Sequence, residues 1–404
     1  MASDESRGVP PALSDIMVLD LSRVLAGPYC TMMLADLGAD VIKVEVPERG
    51  DDTRQWGPPF TGGEAAYYLS VNRGKKSITL NLKAERGREI VRQLAERADV
   101  LIENFRAGTM DEWGLGYTTL RAANPGLVYC AITGYGQTGP YRDRPGYDFI
   151  IQAQGGIMSI TGPEEGPPMK VGVAIVDMTA GLYAAVSILA ALHERVASGQ
   201  GQYVDIALLD AQVAWLANVG GNYLVSGRRP GRYGNAHANI VPYETFATQD
   251  GWIAVAVGND RQWQHLCAFG GWTDLAGDAR FSTNPLRVEN RQLLIPILQS
   301  RFEKRASAEW ETGLLAAGIP CAPINAVDQV FADPQVLARD MLVELPHPTA
   351  GSVRLAGSPL KLSRTPVHLH EPPPLLGQHT AEVLGDYLHY SPDEIAELQT
   401  QGIV

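Results

Sequence analysis

Only four of the 404 residues are cysteine, Cys30, Cys130, Cys267 and Cys321, and they form neither a CxxC motif nor a metal-like spacing. That scatter excludes a disulfide scaffold, argues against structural zinc, and fits four reduced thiols. Positive charge is also short, with 33 Lys and Arg against 45 Asp and Glu, a net charge of −12. Such a balance disfavours wholesale binding to nucleic acid or an anionic membrane, so an anionic ligand needs a local basic patch. The first βα turn, LSRVLAGPYC (21–30), lacks GxGxxG, and no HExxH, GxSxG or GKS/T motif occurs. The ordinary nicotinamide fingerprint, the zinc and serine hydrolases and the P-loop enzymes therefore fall away, and neither a nicotinamide nor a metal cofactor is expected. The eight histidines offer no ligand pairing beyond His368 and His370, which lie in a proline-rich tail. The most apolar run, Val171 to Leu192, is interrupted at Asp177, leaving about 15 residues before His193, short of the roughly 20 that span a bilayer. It reads as a buried helix. The opening MASDESRGVPP has no apolar core, and Asp4 and Glu5 do not suit an Arg-rich transit segment, so a cytoplasmic location is expected. There is no internal repeat and no heptad pattern.

What is present is a globular composition, 45% hydrophobic and 19% charged, enriched in Gly (42) and Pro (27). At about 150 residues per domain, the length suits two to three domains with many structured loops. From Ile16 to Asp210, β-rich runs alternate with helical periodicity, predicting strands over 16–21, 40–46, 99–104 and 127–133 and helices over 28–37 and 84–97. Repeated βα units imply an α/β fold with a parallel sheet covered on both faces. The stretch SGRRPGRYGNAH (226–237) breaks that rhythm and predicts a boundary, followed by a smaller domain with a hairpin over 242–259 and helices over 287–302 and 308–317.

Asp177 is the most informative single residue, because a carboxylate inside an apolar run must be satisfied or functional. One reading makes it an N-cap of the helix that follows; the other makes it a nucleophile kept ionised by helix-start amides, and the two are compatible. The Gly- and Tyr-rich stretch 134–162 has the composition of a cleft lining or of a surface loop, and its Asp148, preceded by Tyr147, could act as acid, base or helix cap. Arg73, Lys75, Lys76, Lys83 and Arg106 cluster near βα loops, as phosphate contacts or as a solvated charged face.

Several ordered segments, DLSRVLAGPYCTMMLADLGADVIKVE (20–45), GDDTR (50–54), NRGKKSITLNLK (72–83), ENFRAGTMDEWGLGY (103–117), TGYGQTGP (133–140), GYD (146–148) and VDMTAGLYA with Asp177, give the chain its strongest likeness. From about Leu19 to about Leu388 it resembles family III of the CoA-transferases. DDTRQWGPPF, YYLSVNR, SITGPEEG, IVPYETF and PPPLLGQHT resemble the branch that exchanges CoA between succinate and hydroxymethylglutarate or glutarate. The resemblance implies transfer of CoA from a donor such as succinyl-CoA to a dicarboxylate, with Asp177 as nucleophile and no metal. It implies CoA contacts at Arg23, Leu25, Ala26, Leu80 to Lys83, Asn104, Phe105 and Arg106, with Gly146, Tyr147 and Asp148 near the thioester. It further implies a Rossmann-like large domain built from both chain ends (1–225 and a return segment 331–404), a small domain over 226–330, and an interlocked homodimer. Tyr147 stands where the racemase branch has a histidine, and an ordinary tyrosine is a poor proton shuttle, which favours transferase over the alternative 2-methylacyl-CoA racemase. A CoA-binding protein without turnover is the third reading. Val46 departs from an arginine common in relatives, and NAHAN (235–239) replaces a glycine-run loop, making His237 and Asn239 candidates for a closing loop. Arg54, Arg228, Arg229 and Arg232 are candidates to read a distal carboxylate.

Overall fold

The computed structural model describes residues 9–404 apart from His368 and His370. The expectations at Asp4 and Glu5 and at the His368 and His370 pair lie outside the described residues. Six strands, β1 (Met17–Asp20), β2 (Asp40–Glu45), β3 (Lys75–Thr79), β4 (Val100–Glu103), β5 (Val128–Thr133) and β6 (Tyr203–Ala207), form one sheet in the order β3-β2-β1-β4-β5-β6. Every neighbouring pair is parallel, so the expected α/β class holds. The four predicted strands stand within a residue of their observed ends. β3 and β6 are not among them, and in sequence the opening lysines of β3 read as a basic cluster. Lys75 is in fact buried, with its Nζ 3.3 Å from Asp20 on β1. The exposed side of this edge strand is closed by His379 and Thr380: Ser77 donates to His379 Nδ1 at 3.1 Å and accepts from the His379 N–H at 2.9 Å. Thr79 donates to Thr380 Oγ1 at 3.1 Å, so the edge presents few free backbone groups to a foreign strand.

The helices that position the site and the core are α1 (Ala26–Asp36), α2 (Glu85–Ala95), α3 (Asp148–Gln154), α4 (Ile175–Ser198), α5 (Asp260–Gly270), α6 (Arg291–Phe302), α7 (Ser307–Ala316), α8 (Thr380–Leu388) and α9 (Pro392–Thr400). Side chains alternate along each strand. Val18, Ile102, Val128 and Cys130 pack under α1 and α4 on one face, and Leu19, Leu101 and Tyr129 pack under α2, α8 and α9 on the other. Each fully buried Val, Leu or Ile in these layers contributes about 1.5–3 kcal/mol.

α4 runs for 24 residues and, by length and composition alone, could cross a membrane. Asp177 does not interrupt it; the carboxylate sits in its first turn. Val176, Ala180, Ala184, Ile188 and Ala191 form the buried stripe of this helix, which packs in the core as expected on that face. Leu182, Tyr183 and Val186 remain exposed. Gly181 allows α4 to close onto α1, since a Cβ there would lie 2.6 Å from the Ala26 carbonyl oxygen.

The chain divides into two compact units, one comprising residues up to Gly156, Val171–Asn218 and Pro334–Val404, the other Ile157–Lys170 and Val219–Asp333. The expected boundary at 225/226 thus falls earlier, within the helix Ala217–Ser226, which buries no residue. Residues 157–170 join the second unit because Arg232 donates to the carbonyls of Pro163 (3.0 Å) and Gly166 (2.6 Å) and the Gly234 amide donates to that of Gly162 (3.1 Å). In that unit β7 (Tyr243–Ala247) and β8 (Trp252–Ala256) form the predicted hairpin, extended by β9 (Cys321–Pro323) in the antiparallel order β9-β8-β7. Phe246, Ile253, Trp263, Phe302 and Trp310 fill its core with α5, α6 and α7. The predicted helix 287–302 is two helices, Asn284–Glu289 and α6, meeting at Asn290.

Candidate active site

In an open parallel sheet, ligands bind beyond the carboxyl ends of the strands where strand order reverses. Here the reversal lies between β1 and β4, and two expected contact residues meet there. The Arg23 N–H donates to Asn104 Oδ1 at 2.9 Å, while Asn104 Nδ2 donates to the Arg23 carbonyl at 2.7 Å. The Arg23 guanidinium reaches Asp52 at 2.8 Å in an exposed pair. Next to it, Val24 is held at φ 70°, a left-handed conformation costly for a β-branched residue. Asp51 sustains it, accepting the Val24 N–H at 3.2 Å while its carboxylate pairs with buried Lys43 at 2.9 Å. The first βα turn is thus a strained loop fixed from beneath by a buried ion pair.

α4 brings Asp177 to the same neighbourhood, for Ala174 and Met178, on either side of it, pack with Val24, Leu25, Tyr29 and Tyr67. The N-cap of α4 is Ala174 and provides no side-chain bond, so the capping reading of Asp177 is corrected. The capping group is Asp148 at the start of α3, whose Oδ2 accepts the Val176 N–H at 2.9 Å and whose Oδ1 accepts from Gln152 at 2.6 Å. With that amide taken, Asp177 has no hydrogen bond or ion pair among the described residues. Burial first, and the Asp148 charge second, push its carboxyl up to about 7. The expectation that helix-start amides hold it ionised is therefore also corrected. The same surroundings push the phenol of Tyr67 up to about 12, through burial and the charges of Asp177 and Asp148. Tyr67 was not singled out in sequence, although it sits in the YYLSVNR segment beside the fully buried Tyr68.

The remaining candidates separate clearly. Leu25 and Ala26 are buried at the start of α1. Leu80 is fully buried in the core, so its side chain offers a ligand nothing, while Lys83 beyond it is exposed. Phe105 meets Trp113 edge-on at 5.2 Å, and Arg106 reaches the Asp143 carbonyl at 3.4 Å. Gly146 has a packing reason, since a Cβ on it would lie 2.5 Å from the Gly134 Cα. Tyr147 is 65% exposed. Arg73 is buried against Asp36 and Lys75 against Asp20, while Lys76 pairs with Asp40 and Glu382; of the basic cluster, Arg73 and Lys75 are neither phosphate contacts nor a solvated face. Arg54 is consumed by Glu45, Glu64 and the Tyr68 hydroxyl. Arg228, Arg229, Arg232, His237 and Asn239 lie in the second unit. Val46 is exposed. Among the described residues no group of His, Cys, Asp and Glu could hold a metal ion.

The arrangement brings together a strained turn, an Arg–Asn clasp and one unpaired carboxylate able to attack an activated carbonyl. The sequence model described as CoA-transferase family III matches residues 13–380. The chain is 46% identical to the succinyl-CoA:glutarate CoA-transferase of Homo sapiens, over 97% of this chain and 90% of that one. It is 48% identical to the succinate–glutarate CoA-transferase of Agrobacterium fabrum, over 93% and 96%. A CAIB/BAIF family protein from Brucella suis, solved by crystallography, is 46% identical and aligns with a TM-score of 0.85 over 94% of this chain and 100% of that one.

Proposed function

The chain belongs to CoA-transferase family III, and from that premise we propose that it moves CoA from succinyl-CoA to a dicarboxylate such as glutarate, with Asp177 as the covalent nucleophile. The observation that carries the residue assignment is the unpaired, half-buried Asp177 carboxylate beside the first βα turn; the substrate assignment rests on the names of the relatives. The Asp177 carboxylate attacks the thioester carbonyl, releasing CoA thiolate and leaving a mixed anhydride. The thiolate then attacks the aspartyl carbonyl, expelling succinate and forming an aspartyl thioester. The acceptor carboxylate displaces CoA from it as a second anhydride, and the thiolate takes the acyl group, regenerating Asp177. Splitting one transfer into these exchanges is covalent catalysis. One thioester replaces another, so the proposed cycle draws on no ATP and no metal.

Arg23, Asn104, Phe105, Arg106 and Lys83 would hold the CoA, and the order β3-β2-β1-β4-β5-β6 supports a Rossmann-like reading of the sheet. The exposed Leu182, Tyr183 and Val186 on α4 support the homodimer, which sedimentation or light scattering would check. Four unpaired cysteines fit a reducing compartment such as the cytoplasm.

The test is to incubate the purified chain with succinyl-CoA and glutarate, hydroxymethylglutarate, itaconate or mesaconate and to identify acyl-CoA products by mass spectrometry. A new acyl-CoA with a dicarboxylate supports the reading. Solvent deuterium at the α-carbon of a 2-methylacyl-CoA without acyl exchange would replace it with the racemase, and CoA binding with no product would replace it with the binding protein.

A further inference from the structure

A cavity in the first unit has a lining that does not include Asp177. It measures about 260 Å³ and is lined by Glu103, Met110, Asp111, Tyr117, Tyr129 and Tyr203, among others. Leu101, Tyr129 and Tyr203 are register neighbours on β4, β5 and β6, and Glu103, two residues beyond Leu101, shares their face. That face carries α2, opposite α4. The three tyrosines form a continuous wall, with centroids 5.4 Å apart for Tyr129 and Tyr203, 5.5 Å for Tyr117 and Tyr203, and 6.0 Å for Tyr117 and Tyr129.

The electrostatics of this cavity run opposite to what the CoA phosphates need. Glu103 is 5% exposed; its Oε2 accepts the Phe105 N–H at 2.7 Å, and its Oε1 has no partner among the described residues. Asp205, which accepts the Gln137 N–H at 3.0 Å, and Asp111 add negative charge around it. None of the three carboxylates forms an ion pair among the described residues. Two cations stand at its edge: Arg121 lies 5.9 Å over the Tyr117 ring, and Arg142, near Gly108 at the rim, pairs with Asp143 at 3.0 Å. Burial, with help from Asp111 and Asp205, pushes the Glu103 carboxyl up to about 8. A phosphate or a substrate carboxylate would be repelled here. A ligand carrying positive charge would find an unpaired buried carboxylate and the electron-rich faces and hydroxyls of tyrosines, the combination that recognises ammonium groups.

We infer that this pocket binds a small organic cation, an ammonium group seated between Glu103, Asp111 and the tyrosine wall, on residues other than those proposed to hold the CoA. The inference does not depend on the proposed reaction. Titration of the full chain with tetramethylammonium chloride, and separately with protonated putrescine, is followed by calorimetry at constant ionic strength, with sodium chloride as the control. Saturable binding of one of them is expected, tightening as pH rises through about 8, because the cation favours ionised Glu103. Glu103→Gln and Tyr203→Leu should each weaken it about tenfold or more. Asp111→Asn, at an exposed position, carries the test should the buried variants not fold, and is expected to weaken binding in the same direction. Saturating CoA should leave it unchanged. Absence of saturable heat with both probes, equal binding by sodium, undiminished binding in the folded variants, or displacement by CoA would each overturn the inference.

Discussion

Asp20 at the end of β1 and Asp177 at the start of α4 are both carboxylates of the first unit that burial pushes up, and the fold treats them in opposite ways. Burial pushes Asp20 up, but Lys75, Lys43 and the hydroxyls of Ser22 and Thr31 outweigh it and hold the carboxyl below its usual range. Asp20 accepts from the Ser22 N–H at 2.9 Å and from Thr31 Oγ1 at 2.6 Å, besides its contact with Lys75. Asp177 has no such company and is pushed up to about 7. The first carboxylate is a structural member whose charge is spent inside the protein. The second keeps a free lone pair at some cost in stability, the pattern expected of a reacting group.

The largest break in this comparison is Asp177→Asn. Exchange of CoA should fall by at least about a thousandfold, because the proposed covalent step loses its nucleophile. Stability should move the other way. An acid with a folded pKa of about 7 and an ordinary value of 3.8 binds its proton more tightly when folded, so its contribution to stability is lost as pH rises through that window. Asn carries no charge, and after allowance for solvent screening it should be more stable than the parent above pH 7 by about 1–2 kcal/mol. Thermal unfolding at pH 4 and pH 8 checks the sign; a loss at both values would make Asp177 a structural group like Asp20.

The converse break is Lys75→Met. It strands the Asp20 charge in the interior and should cost about 3–5 kcal/mol in urea unfolding, whereas a surface pair such as Arg23 with Asp52 should cost under about 1 kcal/mol when removed. A smaller loss for Lys75→Met would mean that Lys43 and the two hydroxyls alone satisfy Asp20. Next in size is Gly181→Ala, whose methyl would press on the Ala26 carbonyl at 2.6 Å. It should cost about 1–3 kcal/mol and disturb exchange, since α1 and α4 together set where Asp177 stands; a variant with parental urea midpoint and exchange would show that the two helices part at no cost.

The difference between the two carboxylates was only half legible in sequence. Strands such as Val100–Glu103 and Val128–Thr133 are apolar runs with local turn signals, so their positions follow from residues a few places apart. β3 does not, because Lys75 is acceptable inside a sheet only through Asp20, 55 residues earlier. Asp177 stood out as a charge in an apolar run, yet its surroundings depend on Asp148, which lies 28 residues before the Val176 amide that it caps. Likewise, residues 157–170 join the second unit through Arg232, a contact that no local pattern encodes. Local periodicity carries the elements and the odd residue; whether a buried charge is paired is decided by long-range contacts that sequence spacing does not contain.

Asp148→Asn sharpens the comparison by changing one neighbour of Asp177 and leaving its burial intact. The Asn side-chain oxygen can still accept the Val176 N–H, so the cap should survive with a loss of about 1 kcal/mol or less. What disappears is a negative charge that disfavours ionised Asp177. Since burial is the larger cause of the shift and Asp148 the smaller, the carboxyl should descend from about 7 by less than a full unit, not return to 3.8. Activity that requires ionised Asp177 would then rise at lower pH, and the acid limb of the CoA-exchange profile should move down by the same fraction of a unit with its plateau nearly unchanged. A plateau lowered a hundredfold with the limb in place would instead make Asp148 a proton-transferring group. A profile identical to the parent would mean that burial alone sets Asp177 apart from Asp20.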